Sequence, residues 1–388
     1  MEEKKIWYSP HKFDCYGKEE VNAVVDCLND GWLSGTGKRT KEFEEKMSDL
    51  FDKKYGVFVN SGSSANLLAL AALKLDKGSK VITPACTFVT VVTPIMQLGL
   101  EPVFCDVSTE NFVPTLKQVI DVIENDTKAI MIPNLIGYIF DWKGLRVHLQ
   151  KINREDIVVI EDSCDTIVKT PYSDIACTSF YATHLITAGG MGGMVMFNDE
   201  SLYKKCLVFR DWGRTEARSD TNFYESELLT NRLSTQVDGI TYDSKYLFSE
   251  LAYHMKCCEM CAAFGLVQIE KLESIKKKRR KNIERYYENL KDVSFVKLPD
   301  DSGEPDLLAL PLLLVDKDRN ELMCLLEKNN IQSRAIFSGN ITRHPPFRKY
   351  FKLYDNSDKI MKTGILVGIH QGLNFDDIDK VCSIIKNF

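Results

Sequence analysis

The stretch SFYATHLITAGGMGG, Ser179 to Gly193, sets one histidine among aromatic and small residues. An imidazole with an unperturbed pKa of about 6.5 takes and returns protons at neutral pH, which makes His184 a candidate general base. Ser179 offers a hydroxyl nearby. In NSGSSANLLALAAL, Gly62 permits a turn, and Ser63 and Ser64 fall at the start of an apolar helix. Free N–H groups and the helix dipole make such a start a phosphate site, although the same serines also suit a plain N-cap. In EDSCDT, Asp162 is placed to hold a protonated heterocyclic nitrogen, and Asp165, one turn on, to reach a substrate. Both also suit a helix start, where carboxylates are favoured. In CTFVT, Phe88 can lie flat on an aromatic ring or simply fill a core. Phosphate donors, a ring stacker, an acid for a ring nitrogen and a base together suit a pyridine-phosphate cofactor.

Each of these groups follows a short apolar run. YGVFVN, KVITP, EPVFCDV, KAIMIP, DIVVIED and GMVMF recur between helix-length segments over roughly residues 50–200. Runs this short and apolar throughout predict an α/β fold whose mainly parallel sheet lies between helices. Ligands of such sheets bind beyond the carboxyl ends of the strands, where the polar residues above fall. From about Met260 the pattern changes to a long helix, a strand at Leu307–Val315, a helix near Asn320–Lys328, a strand at Gln332–Phe337 and a helix from about Asp376 to Lys386. This divides the chain into a large cofactor-binding domain, residues 1–260 with the N-terminal segment, and a small C-terminal α+β domain, residues 261–388.

The 388 residues are 44% hydrophobic and 27% charged with a net charge of −5, which fits a soluble globular protein and gives no pull toward nucleic acid or membrane. MEEKKIWYSPHKF has no apolar core of a signal peptide, and LLALPLLLV is too short to span a bilayer. Twelve irregularly spaced cysteines read as free thiols in a cytoplasmic setting. The densest group, KCCEMC, lacks a second pair at metal-site spacing and reads as core packing, and no metal site is expected. KKKRRK, Lys276 to Lys281, reads as a solvated helix face. No G-x-G-x-x-G turn follows the first strand, which argues against a dinucleotide-binding dehydrogenase.

GWLSGTGKRTKEFEEKM, NSGSSANLLAL, TPACTFVT, IEDSCD, SFYATH, FRDWGR and SRAIFSGNITRHPPF together resemble the DegT-type sugar aminotransferase family, which uses vitamin B6 on nucleotide-linked keto sugars. The resemblance implies an aspartate-aminotransferase-like (type I) fold and a homodimer with active sites at the interface. It matches Ser63, Ser64 and Ser179 to phosphate ligands, Phe88 to the ring stacker and Asp162 to the partner of the pyridine nitrogen. Most members carry a Schiff-base lysine where this chain has His184. Histidine there is similar to the branch of 4-keto-6-deoxyhexose 3-dehydratases, which work with pyridoxamine phosphate. In that chemistry the cofactor amine condenses with the C-4 ketone, a base removes a proton from the cofactor methylene, and the C-3 hydroxyl leaves. Glutamate restores the amine. His184 is the expected base.

Two features depart from the pattern. The CDP-linked member of the branch holds a two-iron, two-sulfur cluster on cysteines after the RDWGR motif, but Thr215 to Leu251 contains no cysteine here, so no iron–sulfur cluster is expected. At His254 the family usually has an asparagine that reaches the cofactor phosphate across the dimer; histidine can still donate there. Arg210, Arg214, Asn340, Arg343 and His344 match positions near substrate groups, and the arginines could clamp a diphosphate or form surface ion pairs. The expectation is a pyridoxamine-phosphate-dependent sugar 3-dehydratase of deoxysugar (lipopolysaccharide-type) biosynthesis. The alternatives are an aminotransferase without the lysine and a non-catalytic relative.

Overall fold

The computed structural model describes residues 4–10, 12–169, 171–214, 229–233, 235–299 and 306–388. Residues 215–228, the first part of the cysteine-free stretch, lie outside the described residues. Seven strands form the main sheet: β1 (Tyr55–Val59), β2 (Lys80–Pro84), β3 (Glu101–Cys105), β4 (Thr127–Pro133), β5 (Val158–Asp162), β6 (Ile175–Ser179) and β7 (Gly193–Phe197). Their order is β1-β7-β6-β5-β4-β2-β3. Only β7 runs antiparallel to its neighbours, so the sheet is mainly parallel, as expected. Alternate residues feed opposite layers. Met131 joins Val59, Leu68 and Ile160 on one face, whereas Ile130 and Ile132 join Trp142 and Leu149 on the other. Burial on both faces explains why the strands read as apolar runs.

Two glycines let the chain cross closely at the carboxyl end of β1. A Cβ at Gly62 would lie 2.6 Å from Ser179 Cβ, and one at Gly193 would lie 2.3 Å from the Ser61 carbonyl carbon. The helix Gly62–Leu73 therefore starts directly against β6 and β7. Ser61 caps it, its hydroxyl accepting from Ser64 N at 3.1 Å.

After the exposed hairpin β8 (Thr235–Val237) and β9 (Ile240–Tyr242), the helix Glu259–Leu290 runs for 32 residues. Its first half packs with Phe43, Phe58 and Phe180 through Ala262, Leu272 and Ile275. Its second half packs under the small sheet through Ile283, Tyr286 and Leu290. That sheet contains β10 (Val296–Lys297), β11 (Leu310–Leu314), β12 (Ser333–Ala335) and β13 (Gly364–Val367) in the antiparallel order β10-β11-β13-β12.

Two readings of the sequence need correction. The N-terminal segment is shared between the units: Phe43 and Met47 pack with Phe58 and Phe180, but Ile6 N donates to Asn330 O and Gln332 N to Ile6 O, both at 2.8 Å, which lays the stretch around Ile6 along the C-terminal unit beside β12. The basic run is not wholly a solvated face. Lys277, Lys278 and Lys281 are exposed, but Arg279 is 2% exposed and donates to the Leu307 and Leu308 carbonyls at 3.3 and 3.0 Å.

The close crossing predicts unequal costs for two glycine substitutions. Gly193→Ala must force apart backbone that cannot yield and should cost about 3 kcal/mol or more by denaturant unfolding. Gly31→Ala, which meets nothing within 4 Å but sits at φ +75, should cost only about 1 kcal/mol.

Candidate active site

A cavity of about 490 Å³ opens beyond the carboxyl ends of β1, β2, β4, β5 and β6. Six of the residues singled out from the sequence line it: Ser63, Phe88, Asp162, Asp165, Ser179 and His184. They arrive from the ends of four strands or the turns after them, Ser63 from β1, Phe88 from β2, Asp162 and Asp165 from β5, and Ser179 and His184 from β6, which is why residues distant in sequence meet.

One end of the cavity is the start of the helix Gly62–Leu73. The first N–H groups of this helix have no acceptor within the helix itself, as any helix start requires, and the Ser61–Gly192 bridge sets Gly62 against the turn before β7. With the hydroxyls of Ser63 and Ser179, those N–H groups make a donor set suited to an anion. Ser64 does not belong to it. Its hydroxyl donates to Asn60 Oδ1 at 2.6 Å and lies 3.0 Å from Ser61 Oγ, so Ser64 serves the cap, and Ser61 lines the cavity instead.

At the far end Asp162 is 5% exposed. Its carboxylate accepts from Asn66 Nδ2 at 2.7 Å and from Cys164 N at 2.9 Å, and no cation pairs with it among the described residues. Burial pushes its pKa up. A cationic ring N–H would hold such a carboxylate ionised, which is the fit a protonated pyridine offers. Phe88, 49% exposed, presents its ring to the cavity edge-on to Phe337.

His184 Nδ1 lies 3.2 Å from Ser179 O, an atom that can only accept. That contact assigns the proton to Nδ1 and leaves the lone pair on Nε2. Burial depresses the imidazole pKa to about 4, against the opposing effect of the Ser179 carbonyl. Asp165 Oδ1 lies 3.9 Å from Nε2, and its Oδ2 accepts from Ile136 N at 2.8 Å. Burial raises Asp165 to about 7. At weakly acidic pH, a proton shared between this pair therefore resides on the carboxyl, and the imidazole stays a free base.

The other expected residues are not brought into this cavity. Arg210 is 2% exposed and donates through Nη1 to Glu44 and the Phe58 carbonyl and through Nε to Asp211, which turns it into the interior and away from the cavity. Arg343 pairs with Asp358. Asn340 accepts from Thr342 N and donates to Asp358 and the Lys352 carbonyl, and His344 Nε2 meets Ser338 O at 2.9 Å. None of these four lines the cavity of this chain. His254 stacks on Trp212 with ring centroids 4.1 Å apart, and Arg214 covers the same indole at 4.6 Å, both outside the cavity.

Sequence reasoning missed Tyr8, Tyr181, Arg334 and Phe337, which complete the walls. Tyr181 and Arg334 stood inside quoted motifs, SFYATH and SRAIF, but no spacing singled them out. Tyr8 left no signal, because only the pairing of Ile6 with the small domain carries it there. Among the described residues, no group of three or more His, Cys, Asp or Glu side chains is arranged to hold a metal ion.

The chain is similar to known proteins over nearly its whole length. The lipopolysaccharide biosynthesis protein RfbH of Salmonella typhimurium is 33% identical over 403 residues, spanning 96% of this chain and 90% of the relative. The GDP-4-keto-6-deoxy-D-mannose 3-dehydratase of Escherichia coli O55:H7 is 29% identical, spanning 95% of this chain and 96% of its own. A solved structure of the E. coli GDP-4-keto-6-deoxy-D-mannose-3-dehydratase with bound hydrated PLP has a TM-score of 0.83 at 26% identity, covering 98% of this chain and 99% of that one. The model of the DegT/DnrJ/EryC1/StrS aminotransferase family matches residues 14–386, and the chain belongs to that family.

Proposed function

We propose that this protein is a pyridoxamine-phosphate-dependent dehydratase that removes the C-3 hydroxyl of a nucleotide-linked 4-keto-6-deoxyhexose, without an iron–sulfur cluster. Glutamate restores the cofactor amine, and the product serves deoxysugar biosynthesis in the cytoplasm. The observation that carries this reading is His184. An imidazole that is neutral, oriented by Ser179 O and open at Nε2 is a base and cannot become a Schiff base. The dehydratase relatives support the reaction class.

When bound, the cofactor supplies the amine that meets the C-4 ketone and the ring that accepts electrons. Ser63, Ser179 and the first N–H groups of the Gly62–Leu73 helix would hold its phosphate. Asp162, fixed by Asn66 and Cys164, would hold its ring nitrogen, and Phe88 would cover its face. His184 Nε2 takes a proton and returns it. Asp165, protonated below pH about 7, stands beside Nε2 as a hydrogen-bond donor to substrate hydroxyl oxygen.

The substrate's diphosphate needs cations, and Arg334 is the one arginine or lysine lining the cavity among the described residues. The exposed surface of Trp212, His254, Arg214 and Lys256 is basic and aromatic. We infer a homodimer in which a second copy brings that surface to the cavity, with His254 donating to the cofactor phosphate.

Incubation with pyridoxal phosphate, glutamate and CDP- or GDP-linked 4-keto-6-deoxyhexose should yield a sugar lighter by one oxygen, with ammonia released. An amino sugar that keeps its C-3 hydroxyl would instead mean an aminotransferase. His184→Asn should retain the cofactor on dialysis yet slow dehydration by about 10²- to 10⁴-fold; near-wild-type turnover would assign the base elsewhere. In the cofactor-free chain, the His184 ring protons should titrate near 4 by NMR. The folded pKa then lies below the unfolded one, so this group removes stability as pH falls from about 6.5 to 4.

A further inference from the structure

The CCEMC segment, read from the sequence as core packing, is only partly buried. Cys257 is 8% exposed, but Cys258 and Cys261 are half-buried. The Cys258 and Cys261 sulfurs lie 3.4 Å apart. Cys258 is the N-cap of the helix Glu259–Leu290 and Cys261 is on its first turn, so the two share one face. The backbone on both sides is fixed. Ser34 bridges Cys258, Glu259 N donates to Leu33 O at 3.2 Å, and the Glu259 carboxylate accepts from Gly37, Arg39 and Thr40 N–H at 2.8 to 3.1 Å. Bringing two sulfurs from contact to a bond of about 2.05 Å therefore asks for side-chain rotation and no movement of the chain.

We propose that Cys258 and Cys261 form a redox-active dithiol, a site of reversible oxidation by low-molecular-weight disulfides. The Cys257 thiol, then the Cys261 thiol, hold Cys258 well below the ordinary thiol range by hydrogen bonding, and the helix start favours the same charge. Glu259, the neighbouring carboxylate, opposes that charge, but its oxygens are taken by the three N–H groups of the adjoining helix. Cys258 thiolate attacks one sulfur of the oxidant, forming a mixed disulfide and expelling one thiolate, which takes up a proton. Cys261 then loses its proton and attacks the Cys258 sulfur, expelling the second thiol. The balance is two electrons and two protons passed from the dithiol to the oxidant disulfide, giving two small thiols and one Cys258–Cys261 bond.

The test equilibrates the full-length reduced protein in graded mixtures of reduced and oxidised glutathione, quenches with acid, alkylates and weighs the tryptic peptide Cys257–Lys271. From oxidising mixtures the peptide should carry one alkyl group and a disulfide in place of the three alkyl groups of the reduced form, and dithiothreitol before alkylation should restore all three. Cys261→Ser should accumulate glutathione on Cys258, and Cys258→Ser should abolish both products. In the unaltered protein, iodoacetamide at pH 7 should label Cys258 about tenfold faster than the exposed Cys324. No disulfide at any ratio, equal labelling rates, or a bond to Cys257 or Cys27 instead of Cys261 would overturn the proposal.

Discussion

The start of the helix Gly62–Leu73 can serve the cavity only because no side chain stands between it and β6 and β7. Its first N–H groups must find a partner outside the helix, and a helix end buried without one is costly. Gly62 and Gly193 remove the two Cβ atoms that would hold the helix off, by 2.6 Å and 2.3 Å contacts that real side chains do not make. Ser179 then lies against Gly62, and the hydroxyls and N–H groups converge. This anion-suited donor set is thus a consequence of backbone proximity, with serine chemistry added to it.

Burial controls the charges at the other end. Behind the cavity, Glu161 accepts from Asn134 at 2.9 Å, Ser163 at 2.5 Å and Ser173 at 2.9 Å, so three neutral donors hold this interior carboxylate, with the buried Lys53 acting on it electrostatically. Asp162 faces the opposite way with two donors and open space. The alternation of β5 separates two adjacent acids into one that anchors the sheet and one that faces the cavity. Removing Asn134 would therefore disturb the site through Glu161, although Asn134 never touches the cavity.

The parts of the site that the sequence made legible are those attached to strand ends. Asp162 ends β5, Ser179 ends β6 and Ser63 follows β1, so periodicity and turn chemistry located them. Ser64 was read beside Ser63 because adjacent serines carry no sign of which hydroxyl closes the cap. Arg210 failed for a different reason: its neighbours Glu44 and Phe58 lie far away in sequence, and ridges of helix and strand decide whether an arginine is spent or free. β13, four residues after a helix, is too short for a periodic signal, and the stretch around Ile6 owes its place to partners far along the chain, Asn330, Gln332, His370 and Asp377. The 1–260 and 261–388 division captured where the pattern changes, but the helix Glu259–Leu290 contributes to both cores.

Position 184 shows why exchanging lysine for histidine changes what the fold can do. An amine here would project a flexible cation with no fixed direction and would need a carbonyl or a carboxylate to settle it. The imidazole is shorter and rigid, and its two nitrogens take separate duties. Nδ1 is committed to the carbonyl of Ser179, a residue that also lines the cavity beside the start of the helix Gly62–Leu73. Nε2 is left toward Asp165 and the cavity. The surroundings that push its pKa to about 4 would push a lysine the same way, but the neutral amine would still have about two more side-chain torsions to order. A neutral, pre-aimed acceptor suits repeated proton transfer at a fixed atom. Since orientation comes from a backbone carbonyl, no side-chain partner is needed to hold the ring, and Asp165 remains available to the substrate.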